Sequence, residues 1–321
     1  MERPPEPPLS RWGSMNIRML TDTLRFPEGP VALPDGSVLV VEIAAGCLTR
    51  VTTAGTVERI AETGGGPNGA AIGPDGFCYV CNNGGFSWRK DAYGLRPIGP
   101  AEDYQGGRIE RVDLATGKVE VLYDRTENGR LSSPNDLVFD RHGGFWFTDT
   151  GKLRAREMDR GRVCYAKADG SFIKEVIFPI ATPNGIGLSA DETQLYVAET
   201  GGARIWRFDI AAPGEIIRQR FPSPNGGHFV VGVGGHQAFD SLAIDSGGNI
   251  CAATLFHGGI TVISPDGANV RHIAMPDIYT TNICFGGPNL QTAYVTLSQS
   301  GRLAALPWDR PGLELNFSVR R

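Results

Sequence analysis

Six oxygen-bearing side chains recur at one phase of the chain: Glu28, Asn68, Asn135, Asn184, Asp240 and Asn282. Their separations are 40, 67, 49, 56 and 42 residues. Brought to one axis, two carboxylates and four carboxamides would repel one another or stay unsatisfied in an empty apolar channel. A divalent cation removes that cost. Hard oxygen donors carrying two negative charges suit calcium best, with magnesium, manganese or zinc as the alternatives. The set holds no His or Cys, which argues against a structural zinc site. For any single member a plainer explanation exists, because Asn and Asp before Gly form Asx turns and tolerate left-handed backbone. That explanation predicts scatter among Asp, Ser and Gly, and it does not predict six residues in phase.

The elements that would position these residues repeat with them. Each lies second in a segment of four or five alternating residues, a tight turn and a second apolar run. Examples are PEGPVALPDGSVLVVE from Pro27, PNDLVFDRHGGFWFTD from Pro134 and FDSLAIDSGGNICAAT from Phe239. Asp-Gly and Gly-Gly at the turns supply the positive φ that hairpins need. Two further strands fit between successive hairpins, as at about Gly161–Ala168 and Phe172–Phe178 in the third unit. Four antiparallel strands per unit and a spacing near the 40–50 residues of a propeller blade predict an all-β, six-bladed β-propeller. The sixth unit is one strand short, and Ile17–Leu24 is expected to supply it and close the ring. Innermost first strands place the six residues around one mouth of the channel. A second set, Glu42, Asn82, Asp149, Glu199, Thr254 and Thr296, falls at the ends of the second strands, at the same mouth, as holders of the first set or as solvated strand ends.

Composition agrees and narrows the function classes. The 43 Gly and 22 Pro are roughly a fifth of 321 residues, against about 12% in ordinary proteins. A net charge of −4 without a basic stripe disfavours nucleic acid as a partner. No apolar run approaches a membrane span. Residues 1–14 are Pro-rich and charged where a signal peptide needs an apolar core, so they read as a flexible arm before a single domain at 15–321, in a cytoplasmic protein. Six scattered cysteines in such a compartment are expected as reduced thiols. Cys78 and Cys81 have zinc-ligand spacing but, three apart in a strand, face opposite sides.

The motifs FPEGP (Phe26–Pro30), SPND (Ser133–Asp136), TPNG (Thr182–Gly185), GGITVISPDG ending at Gly267 and TNICFGG (Thr281–Gly287) resemble those of the senescence marker protein / gluconolactonase / luciferin-regenerating enzyme family. The likeness runs from about Phe26 to Leu306. It implies a six-bladed propeller holding one divalent metal, with Glu28, Asn184 and Asp240 as ligands and Asn135 as a fourth ligand or a contact to substrate. It further implies that Asp240 is the general base or nucleophile, and that Asn68 and Asn282 line the substrate cavity. The implied reaction is metal-assisted hydrolysis of a small-molecule lactone, that of a sugar (aldonic) acid, by a monomer or small homo-oligomer. Ser241 stands where the family often has Gly and narrows the wall beside Asp240.

Loops at the same mouth would choose the substrate. Gly84–Gly107 is long enough to be a lid, and Trp88, Arg89, Tyr93 and Arg96 could cover a ligand. His257, between the second and third strands of the fifth unit, is the candidate ionisable helper. Lys152–Arg162, with five basic and two acidic residues, reads as a solvated face. Two other functions compete: organophosphate hydrolysis on the same Glu/Asn/Asn/Asp set, and a non-catalytic binding propeller, which would keep acids out of the channel.

Overall fold

The computed structural model describes residues 16–318. The arm expected at 1–14 lies outside them. Six antiparallel sheets, each four strands deep, are arranged as blades, and each starts at an innermost strand. Blade I comprises Pro27–Ala32, Val38–Glu42, Cys47–Val51 and Val57–Glu62. Blade II comprises Pro67–Ile72, Cys78–Asn82, Arg108–Val112 and Val119–Tyr123, and blade III Pro134–Phe139, Gly144–Asp149, Gly161–Lys167 and Ile173–Ile180. In blade IV the first three strands are Pro183–Leu188, Gln194–Glu199 and Arg204–Ala212. Its outer edge is shared by Glu215–Ile217 and His228–Gly232, both paired with the third strand. Blade V runs through Ala238–Ile244, Ile250–Leu255, Gly259–Ile263 and Val270–Ala274.

Blade VI takes Thr280–Gly286, Thr292–Leu297 and Arg302–Pro307 from the end of the chain and Arg18–Thr21 from its start. Arg18 pairs with Ala305 and Thr21 with Leu303, so the ring is closed by the N-terminal strand. Among the described residues the only helical element is the short 3-10 turn Pro288–Leu290, and no helix is long and apolar enough to cross a membrane.

The apolar core is divided among the blade interfaces. One cluster joins blades I and II through Val41, Leu48, Val80 and Val112, and another joins III and IV through Trp146, Ile177, Val197 and Phe208. The closing seam between VI and I buries Val38, Val40, Tyr294 and Leu303. Alternation along the second strands explains the arrangement, since successive residues face opposite neighbouring blades. Cys78 accordingly packs toward blade I and Cys81 toward blade III. All six cysteines are buried free thiols.

Every first strand carries a register shift at its upper end. The shifts fall between Glu28 and Val31, Pro67 and Ala70, and Pro134 and Leu137. The other three fall between Pro183 and Ile186, Phe239 and Leu242, and Thr280 and Asn282. A bulge bends the strand and re-aims side chains. Here the bulge sits in each blade where the polar motif sits.

Candidate functional site

The bulges bring the six motif residues to one level of the channel. Glu28, Asn68, Asn135, Asn184 and Asn282 are all buried, and Asp240 keeps partial access to solvent. Glu28 Oε2 accepts hydrogen bonds from Asn282 Nδ2 at 2.7 Å and from the Gly29 amide at 2.6 Å. Burial, followed by the charge of Asp240, drives the Glu28 carboxyl well above its ordinary value, and Asp136 adds to the same effect. Burial also pushes Asp240 up to about 7, opposed by a hydrogen bond from Asn184 and reinforced by Asp136. In the metal-free protein these carboxylates therefore resist being charged together.

Asp136 is the ring-level residue that sequence reasoning missed. Strict alternation puts it on the face opposite Asn135, but the bulge between Pro134 and Leu137 leaves both buried. Desolvation lifts its carboxyl to about 7, against hydrogen bonds from Leu137 and Ser241. Ser241, fully buried, also donates toward Asn184 Oδ1 at 3.4 Å. The residue expected to narrow the wall thus ties Asn184 to Asp136. The signal available in the sequence was the acid of SPND itself, at a position where the other units carry Gly29, Gly69, Gly185, Ser241 and Ile283.

Those glycines set the spacing of the ring. A Cβ on Gly69 would fall on the Asn135 carbonyl oxygen and 2.6 Å from Asp136 Cα. Neighbouring inner strands can approach this closely only where the side chain is missing.

The second set is buried, and three of its members brace the backbone. Glu42 Oε2 accepts from the Arg25 amide at 2.7 Å, and Asn82 Oδ1 accepts from the Gly66 amide at 2.9 Å. Asp149 accepts from the amides of Ser132 and Ser133 at 2.9 and 2.6 Å. Each receives the backbone just before its blade's motif residue and so fixes where that residue enters the ring. Arg162 in turn pairs with Asp149 at 2.9 Å and Glu175 at 3.2 Å. The segment Lys152–Arg162 is exposed through most of its middle, as its charges suggest, but both of its end residues are buried.

The donor set fits a hard divalent cation by one direct observation. Asn135 Oδ1 is buried and has no hydrogen-bond partner, a costly state for a carbonyl oxygen. It lies in a ring whose carboxylates are mutually strained. Glu28, Asn135, Asn184 and Asp240 are the residues that could hold the ion. Among the described residues no three His, Cys, Asp or Glu side chains form a metal cluster by themselves, so any cation here depends on carboxamides as well as acids.

Gly84–Gly107 contains a hairpin, Phe86–Asp91 paired with Gly94–Pro100, rooted between the second and third strands of blade II. Its Trp88 ring packs 4.9 Å from Phe26, two residues before Glu28, and the Leu95 amide reaches Gln299 of blade VI at 3.0 Å. Arg89 and Tyr93 are exposed, and Arg96 pairs with Asp91 at 3.2 Å. His257 is exposed in the upper turn of blade V and stacks 3.9 Å from His272 of the outermost strand, without a hydrogen bond to the ring. Below the ring the channel widens into a cavity of about 910 Å³. Asp136 and Asn282 line it along with aliphatic side chains from the lower halves of the first strands.

Comparison with known proteins places the chain in a family. Residues 26–299 match the family described as SMP-30/Gluconolactonase/LRE-like region. The chain is 27% identical to a gluconolactonase of Zymomonas mobilis, over 89% of this chain and 80% of that one. It is 28% identical to lactonase drp35 of Staphylococcus haemolyticus, over 78% and 69% of the two chains. The solved structure of a gluconolactonase from Xanthomonas campestris superposes with a TM-score of 0.72 at 24% identity, covering 94% of this chain and 92% of that one, a likeness of fold.

Proposed function

The chain belongs to the SMP-30/gluconolactonase/LRE-like family, and from that premise we propose that it hydrolyses a lactone of an aldonic acid in a ring that holds one divalent cation, calcium before magnesium, manganese or zinc. The observation that carries the site assignment is the orphaned Asn135 Oδ1 in the ring that holds Asp240, the one ring residue with partial access to solvent. The names of the relatives, gluconolactonase and lactonase, support the reaction class.

When bound, the cation supplies Lewis acidity toward the lactone carbonyl oxygen. Asp240, as carboxylate, accepts a proton from the attacking water. The water oxygen bonds to the carbonyl carbon, the ring C–O bond breaks, and the departing alkoxide takes up a proton to give the hydroxy acid. Glu28, held by Asn282 and the Gly29 amide, and Asn184, held by Ser241, fix the donors around that centre. Asn135 orients water or substrate. Asn68 and Asn282 face a hydroxyl-rich, neutral substrate with carboxamides. The hairpin bearing Trp88 and Arg89 covers the mouth and limits access of bulk water, with His257 as a peripheral ionisable group. Six buried thiols without a disulfide suit a cytoplasmic site of action.

The test is acid release from a series of aldonolactones by metal-stripped protein, before and after return of calcium, magnesium, manganese or zinc, with one organophosphate in parallel. Restored turnover of a sugar lactone is the expected result. A bound metal with organophosphate turnover alone would move the reading to the other reaction, and absence of metal binding would remove the cation from it.

A further inference from the structure

Two cations are buried among the described residues near the upper mouth, and they are treated differently. Arg162 has two carboxylate partners. Lys152, 2% exposed, has none within ion-pair distance among the described residues. Its Nζ instead donates to the Gly85 carbonyl at 2.9 Å and to Asn83 Oδ1 at 3.5 Å. It lies 4.1 Å above the Phe86 ring and 5.0 Å from that of Tyr104. Burying an ammonium without a counter-charge is costly, and cation–π contacts with backbone dipoles offset only part of it. Every group in hydrogen-bond or cation–π contact with the Lys152 amine belongs to one feature. Asn83, Gly85 and Phe86 form the outgoing root of the Phe86–Pro100 hairpin, and Tyr104 lies on its return.

The hairpin's far end is tied to the opposite side of the mouth. Leu95 bonds to Gln299, and Trp88 lies on Phe26, which packs 5.9 Å from Tyr279. Tyr279 feels the charges of Arg96 and Asp91 on the hairpin and of Asp240 in the ring. Between these anchors Arg89–Tyr93 are exposed.

We propose that Lys152 is the positioning residue of a proton-released lock on the hairpin over the ring, acting on its root from a neighbouring blade. The part of this that concerns substrate rests on the lactonase reading; the lock itself does not. A side chain on the loop after blade III's second strand thereby holds a cover that belongs to blade II and ends on blade VI.

Titration offers a signature that a passive filler would lack. Burial depresses the Lys152 amine to about 7, whereas an opened root returns it to water, near 10.4. Opening therefore takes up a proton between those values, and closure strengthens as pH rises from about 7 toward 10. The charged groups facing Lys152 are Asp149, Arg154 and Asp159 from its own strand end and loop, and Tyr104 from the hairpin's return. Tyr104 is raised to about 12 and Asp159 is lowered, so neither changes charge between pH 7 and 9.

The experiment is limited trypsin cleavage of the full chain after Arg89 and Lys90, followed by mass and normalised at each pH to an unstructured reporter peptide. Lys152→Met should be cut several-fold more slowly than wild type at pH 7, since cleavage tracks the open population and the variant no longer buries an unpaired amine. Phe86→Leu, which removes a ring beneath the amine, should be cut faster than wild type with the pH response kept, and decides the matter if Lys152→Met fails to fold. Wild-type cleavage should slow from pH 7 to 9 toward the rate of Lys152→Met, which stays flat. With D-glucono-1,5-lactone as probe, Lys152→Met should lose the pH dependence of KM between pH 7 and 9 with kcat within about twofold. Wild-type cleavage rates in both variants, or the same pH response in Lys152→Met, would overturn the lock. Altered cleavage without any lactone turnover would keep the lock and discard the lactonase reading.

Discussion

The two ends of the channel are built from the same six strands and have opposite chemistry. Above the bulges the inner wall is a ring of acids and carboxamides; below them Val31, Ile72, Leu137, Leu188, Ile244 and Phe285 line a wide, largely aliphatic cavity. The upper end is crowded to the point that Gly69 cannot bear a Cβ, whereas the lower end leaves about 910 Å³ unfilled. The bulge is the boundary. It spends strand regularity at one end to aim polar groups inward, and the regular pleat beyond it packs apolar residues. Function is thus expected to be sensitive above the bulge and indifferent below it.

The largest break in that asymmetry should come from Asp240→Asn. Removing the proton acceptor while keeping an oxygen donor should lower kcat on the aldonolactone by about 10²–10⁴-fold, the range for general-base loss. Calorimetric metal titration should still detect binding, weakened by the lost charge. Unchanged turnover would transfer the base to another group, with Asp136 first in line.

Metal removal comes next and has a pH signature. Asp136 and Asp240 are raised to about 7 in the folded chain, from ordinary values near 4. A raised folded value means the native state binds protons more tightly. That contribution is complete below about pH 4 and is lost as pH rises through about 7. The stripped protein should therefore melt at lower temperature at pH 8 than at pH 5. Calcium at a hundredfold its Kd should return about 2.7 kcal/mol at pH 8, and much less at pH 5, where protons compete. Equal melting temperatures at both pH values without metal would show that the acids are not strained.

Which of these features the sequence disclosed follows from how each is encoded. The ring was legible because six units repeat one phase, so Glu28, Asn135, Asn184 and Asp240 could be aligned by subtraction, and the closing strand was legible by the shortage in the sixth unit. Asp136 was hidden because alternation is a rule for regular strands, and a bulge has no composition of its own in PND or FDS. Lys152 was hidden because a charge-rich run reads as surface, while the aromatic and carbonyl groups that bury it come from another blade. His257 was placed in the right turn, but which way a turn residue faces depends on its neighbour, here His272 on the outer strand. Local pattern thus fixed level and phase; long-range packing fixed orientation.

A paired substitution sharpens the comparison further. Gly69→Ala, above the boundary, drives a methyl into the backbone of Asn135 and Asp136. It should cost about 1–3 kcal/mol by overpacking and lower lactone turnover with it. Leu188→Ala, below the boundary, removes a buried side chain that lines the cavity and packs between blades III and IV. It should cost about 2–3 kcal/mol, the low end for such truncations because the site already adjoins open space. Its kcat/KM at a temperature where it remains folded should match wild type. Urea unfolding and initial rates on both variants separate the two ends. Turnover lost in Leu188→Ala would couple them.

The smallest effect is expected where the chain's own end crosses the lower opening. The segment after Arg302–Pro307 pairs Gly312 with Asp245, donates from the Leu313 amide to Ile244 O at 2.9 Å, and reaches blade III through Asn316. Asn316 Nδ2 donates to Phe139 O at 3.1 Å and to Glu192 Oε1 at 2.7 Å, and Phe317 packs edge-on against Phe139. Glu192 is already engaged with Arg141 at 3.0 Å, so losing the amide leaves no stranded charge. Asn316→Ala should therefore cost about 1–2 kcal/mol for its two hydrogen bonds, and leave kcat and KM unchanged. If instead it altered turnover, the lower cavity would be in communication with the ring through Asp136, whose carboxyl looks onto both. The bulge would then be a joint between two working ends and not a boundary.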